Sequence, residues 1–299
     1  MAKNETSERE VTTAERLGYS DEARLLIVNA DDFGMCHDEN EATIEGLTSG
    51  LFTSSTILVT CPWFEEAAEF ARQNSSADLG VHLTLNSEWK RYKWGPVLGA
   101  KTVPSLVDER GYLWPDVPSV YANDRLDEAE DELRAQIEKA LDAKIDVSHL
   151  DCHMGPLHLR GDFHEIYARL ARDYMLPMRL TPRKFMRRMG FDAILDGLDR
   201  AGILYPDNFV AHPQRRPDDT EAFWTETIRA LRPGISELYC HPGFARAELS
   251  GCADDAPQRE ADFGYFTSEK ARRLLQDEGI ELIGYRKLRD AMRAAPARP

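Results

Sequence analysis

The chain has 299 residues, 42% of them hydrophobic and 9% aromatic, which is enough apolar material for a large core and argues against global disorder. Its 37 Lys and Arg against 52 Asp and Glu leave a net charge of −15. That balance disfavours nucleic acid and anionic membrane as partners, because both require clustered positive charge.

Residues 1–20 are polar and read as a flexible N-terminal arm in which Ala14 to Tyr19 could pack as a short helix. Beyond it, apolar runs of strand length alternate with stretches of helical period. The expected strands are Leu25–Asn29, Thr56–Thr60, Leu79–Leu85, Val147–Cys152, Met178–Leu180, Phe209–Ala211, Glu237–Cys240 and Glu281–Gly284. The helical patterns between them are Glu39–Ser49, Trp63–Gln73, Asp127–Ala143, Phe163–Asp173, Ala193–Ala201, Asp219–Leu231 and Ser268–Asp277. A repeated strand–helix order implies a parallel sheet with helices outside. No Gly-x-Gly-x-x-Gly or Walker A sequence occurs, which lowers the case for a nucleotide-binding sheet. The expectation is therefore an α/β fold, a distorted TIM-like (β/α) barrel of roughly seven or eight parallel strands. Residues 21–299 would form it as one domain. Residues 87–122 interrupt the rhythm as an aromatic-rich insertion, with Trp89 and Trp94 offering faces suited to sugar rings. Such a segment could equally be an excursion that only packs on the barrel.

The start of the chain has no apolar signal region, and no apolar run approaches the ~20 residues that span a bilayer. The five cysteines form no Cys-x-x-Cys pair, as suits reduced thiols in a cytoplasmic protein. Cys152 and Cys240 read as small apolar groups.

In a parallel barrel, functional groups gather where strands end. Here those points carry Asp31-Asp32, His82, the run His149 to His153 followed by His158, Arg179, His212, and His241-Pro242-Gly243. Strand alternation places His149, Asp151 and His153 on one face. Two of these could bind a divalent metal while the third orients a ligand; a buried polar network without metal is the alternative. Of the adjacent pair Asp31 and Asp32, one could hold a metal while the other takes a proton from water; capping of the next helix is the simpler reading. His37, His164 and His212 read as structural or surface residues.

Asn29-Ala30-Asp31-Asp32-Phe33-Gly34, Thr53-Ser54-Ser55-Thr56, Gly80-Val81-His82-Leu83, His149-Leu150-Asp151-Cys152-His153 and His241-Pro242-Gly243 resemble the YdjC/ChbG-like carbohydrate deacetylases, relatives of the NodB-type polysaccharide deacetylases. The resemblance runs in order from about residue 24 to 291 and departs from the family after His153, where neighbouring histidines are missing. It implies one divalent cation held by Asp32, His82 and His153, with Asp31 as general base. His241 would serve as proton donor or substrate contact, and Arg179 and Arg259 would support the site. His149, Asp151, His158, Trp89 and Trp94 complete the residues expected to bind substrate or support the centre. The ligand types favour zinc or another transition ion, and the resemblance also admits magnesium. The expected reaction is hydrolysis of an N-acetyl group on an amino sugar or short oligosaccharide, with a homodimer as the default assembly of a soluble enzyme. Alternatives are a metal-dependent hydrolase acting on a non-sugar amide or phosphoester, and a non-catalytic sugar-binding barrel.

Overall fold

The central strand, β1 (Arg24–Phe33), is buried from Leu25 to Phe33. A strand covered on both faces needs apolar side chains at consecutive positions, and Leu25-Leu26-Ile27-Val28 supplies them. Leu25 and Ile27 join one core; Leu26, Val28 and Ala30 join a second, with Trp224 and Phe266. This computed structural model describes residues 11–211 and 217–294.

The other strands are β2 (Ser54–Ile57), β3 (Leu79–Leu83), β4 (Val147–Cys152), β5 (Asn208–Val210), β6 (Gly234–Cys240) and β7 (Glu281–Leu282). All ladders are parallel, in the order β4-β3-β2-β1-β6-β5, and β7 pairs with the first residues of β1. The seven expected helices lie within about two residues of their expected bounds, and Val117–Asn123, Arg183–Arg188, Ala247–Cys252, Ala256–Phe266 and Tyr285–Ala294 are helices beyond those expected. Leu126–Asp142 buries Ala129, Leu133, Ile137 and Ala140 as one stripe at helical spacing.

The closed barrel gives way to a curled, open half-barrel of seven strands. Among the described residues no ladder joins β5 to β4. The segment expected as a strand at Met178–Leu180 makes a single bridge, Leu150 to Met178. Pro177 precedes it without an N–H to donate, which stops the ladder on that side. That short contact nevertheless suffices to place Arg179 beside β4.

Of the expected N-terminal arm, residues 1–10 lie outside the described residues. Thr13–Arg16 form a helical turn with a capping box at Thr12. The N–H groups of Thr13 and Ala14 donate to Asp207, which also accepts the Ile235 N–H at the start of β6. The aromatic segment is tied to the helix Leu126–Asp142. Glu132, buried in the helix Leu126–Asp142, accepts the N–H groups of Val97 and Leu98 at 2.8 and 3.0 Å. His212 lies outside the described residues. Among those described, no helix is long and apolar enough to cross a membrane.

Candidate metal centre and its cavity

Alternation along β1 would send Asp31 and Asp32 to opposite faces of the sheet. The backbone prevents this: Asp32 takes φ +71°, and the register with β2 shifts between Ala30 and Phe33. A left-handed conformation is costly for a residue with a Cβ and persists only where the surroundings enforce it. Here it turns both carboxylates toward the same cavity, which has a volume of about 440 Å³.

At the cavity floor, Asp32 Oδ1 lies 3.4 Å from His82 Nε2 and 3.3 Å from His153 Nδ1. All three residues are buried, and Asp32 Oδ1 has no hydrogen-bond partner. These separations match the ~3.3 Å edge of a tetrahedron whose corners stand about 2.0–2.1 Å from a central ion. The other nitrogen of each imidazole faces a carboxylate: His82 Nδ1 is 2.6 Å from Asp151 Oδ1, and His153 Nε2 is 2.9 Å from Glu88 Oε2. Carboxylates in that position fix the ring and raise its basicity as a ligand. The residues therefore fit a divalent cation.

The field at this point favours positive charge. Burial would lower both imidazoles, but Asp151 and Asp32 push His82 up to about 9, and Glu88 and Asp32 push His153 up to about 10. Burial would raise Asp32, yet the neighbouring His153 and His82 imidazoles and the charges of His241 and Arg259 hold it well below the usual carboxylate range.

Each aspartate has its own arginine. Arg179 grips Asp31 end-on, with Nη1 to Oδ2 at 2.8 Å and Nη2 to Oδ1 at 2.7 Å. Asn29 Nδ2 adds a bond of 2.7 Å to Asp31 Oδ1. Burial opposes ionisation of Asp31, but the Arg179 guanidinium holds it far below its ordinary value. Arg259, from the helix Ala256–Phe266, donates from Nη1 to Asp32 Oδ2 at 2.9 Å and to Glu39, and from Nε to Asp255 at 2.8 Å.

The remaining expected residues divide in two. Trp89, His158, Arg179, His241 and Arg259 line the cavity with Asp31 and the three candidate ligands. His241 Nε2 stands 3.9 Å from Asp32 Oδ2, and burial draws this imidazole below its ordinary value. Three others stand behind the wall. Asp151 backs His82, and Trp94 packs edge-on against His153 with ring centroids 5.8 Å apart. His149 shares a strand face with Asp151 and His153 but sits deeper, stacked on Tyr285 at 3.8 Å and 7°. Its ring occupies the space that a side chain on Gly80 would fill: a Cβ there would stand 2.7 Å from it.

Glu88, Glu39, Asp255 and Glu237 escaped the sequence reading. Glu237 carried a usable signal, because alternation along β6 puts it on the face of Tyr239 and His241. Glu88 and Asp255 sit in irregular segments without such a period.

The profile of a family described as YdjC-like protein matches residues 25–277. A carbohydrate deacetylase of Enterococcus faecalis is 31% identical over 280 residues, covering 89% of this chain and 98% of its own. A carbohydrate deacetylase of Thermus thermophilus is 32% identical, covering 93% and 98%. A crystal structure of a candidate cellobiose-phosphate cleavage protein from Enterococcus faecalis superposes with a TM-score of 0.76 at 28% identity, over 89% of this chain and 99% of that one.

Proposed function

The chain belongs to the YdjC-like protein family, and from that premise we propose that it is a carbohydrate deacetylase that hydrolyses an N-acetyl group on an amino sugar or short oligosaccharide. The observation that carries this reading is the convergence of Asp32 Oδ1, His82 Nε2 and His153 Nδ1 beside a separately held Asp31. Two imidazoles and one carboxylate favour zinc or another transition ion over magnesium. A divalent ion bound there supplies a Lewis acid for the acetyl carbonyl and lowers the pKa of water.

The chain's own residues do the rest. Asp31 accepts a proton as water oxygen bonds to the acetyl carbon. Its carboxylate is kept ionised and aimed by Arg179 and Asn29. His241 protonates the amide nitrogen as the C–N bond breaks, releasing acetate and the free amino sugar. The proton taken by Asp31 and the one given by His241 balance over a turnover. Trp89 supplies an aromatic wall for the sugar. Trp94, buried at 2% exposure, instead supports His153 from behind.

Acetate release from a panel of N-acetylated mono- and disaccharides, with zinc, cobalt, manganese or magnesium added in turn, tests the proposal. Release that requires metal and stops on chelation is expected. Silence toward every sugar, with turnover of a phosphoester or non-sugar amide, would replace it.

A further inference from the structure

The arginine that grips Asp31 is itself held from a side that no substrate reaches. Arg179 Nε donates to Glu237 Oε1 at 2.9 Å, and Tyr285 Oη donates to Glu237 Oε2 at 2.5 Å. Glu237 and Tyr285 are both fully buried, and neither lines the cavity. Tyr285 opens the C-terminal helix Tyr285–Ala294 and is clamped against the His149 ring.

A guanidinium can meet a carboxylate end-on through its two Nη groups or side-on through Nε and one Nη. Arg179 has a choice of acidic neighbours, since Asp151 Oδ2 also lies 3.0 Å from Nη1. Its planar group lies near the rings of Phe209 and Tyr239, at 5.6 and 5.0 Å from their centroids, and those contacts do not decide between the two forks. Occupying Nε does. With Nε committed to Glu237, only the end-on fork remains for Asp31.

We propose that Glu237, locked by Tyr285, is a positioning residue that selects the end-on grip of Arg179 and thereby aims the Asp31 carboxylate into the cavity. The inference rests on the reading of Asp31 as the base. It makes the C-terminal helix part of the catalytic support through the chain Tyr285–Glu237–Arg179–Asp31.

The test compares Glu237→Leu, Glu237→Gln and Tyr285→Phe in the full chain. Four quantities are followed: kcat and KM for acetate release, zinc content, and the Arg179 Nε–H resonance in ¹⁵N-labelled protein, assigned by Arg179→Lys. Glu237→Leu should lower kcat by about 10²-fold with KM within about threefold, since misaiming a reacting group acts on the transition state. Zinc content should stay unchanged, and the slowly exchanging Nε–H resonance should disappear. Glu237→Gln keeps an acceptor for Nε and should recover at least about tenfold of the loss and the resonance with it. Tyr285→Phe should fall between wild type and Glu237→Leu.

Wild-type kcat in Glu237→Leu, a change confined to KM, or no advantage of Gln over Leu would overturn the proposal. If Glu237→Leu does not fold, wild-type kcat and an unchanged resonance in Tyr285→Phe overturn it instead. If the wild-type chain deacetylates no sugar, the functional reading fails, while the Arg179 resonance still decides the positioning role.

Discussion

Asp31 and Asp32 are adjacent in the chain yet held by different arginines, Asp31 by Arg179 and Asp32 by Arg259. Two carboxylates so close would repel if they shared one environment. Separate cationic partners keep both ionised, and they leave Asp32 Oδ1 unpaired between two imidazoles while both oxygens of Asp31 are bonded. The proposed division of labour between ligand and base rests on that difference.

Asp31→Asn should separate the two roles. Its amide still fills the site but cannot take a proton, so zinc content should match wild type. Turnover should fall by about 10²–10⁴-fold, the usual span of general base catalysis. Elemental analysis and acetate release on the same preparation check both halves; undiminished turnover would remove Asp31 from the mechanism.

Glu88 is predicted to act through His153. Glu88→Gln removes the charge behind the imidazole while keeping its size, and metal affinity should drop by about 10–100-fold. Competition with a fluorescent zinc chelator measures this. Affinity equal to wild type would mean that Glu88 is a wall residue only.

A separate pH effect should arise at His164, which is buried beneath the cavity among Tyr167, Phe191 and His158. Burial draws it from 6.5 down to about 4. Between those values the unfolded chain binds a proton that the folded chain refuses, so stability present above pH 6.5 is lost as pH falls toward 4. The slope from this group is at most about 1.4 kcal/mol per pH unit. Urea unfolding from pH 7.5 to 4.5 should show a shallower decline for His164→Phe than for wild type. Parallel declines would contradict the assignment.

Much of the site was legible because a parallel sheet brings strand ends together. Asp31, His82, His153 and His241 are far apart in sequence, and each follows or closes an apolar run, so their convergence could be read from pattern alone. Three features could not. Barrel closure depends on which strand finds a partner, and Pro177 denies a ladder to the segment that would have bridged the gap. The inward turn of Asp32 rests on a left-handed backbone that a sequence of ordinary residues does not announce. The carboxylates behind the functional side chains arrive from distant segments: Glu88 is 65 residues from His153, and Glu237 is 58 from Arg179. The aromatic segment shows the same limit. It has no period, so nothing in it distinguishes cavity-lining Trp89 from buried Trp94.

The central claim is that Asp32, His82 and His153 hold a divalent cation beside Asp31. Anomalous diffraction from zinc-soaked crystals, recorded on both sides of the zinc edge, tests it without reference to any substrate. The account predicts one strong anomalous peak about 2.0–2.2 Å from Asp32 Oδ1, His82 Nε2 and His153 Nδ1. Well-ordered side chains with no peak between them, or a peak bound by Asp31 and Asp151 in place of Asp32, would contradict it.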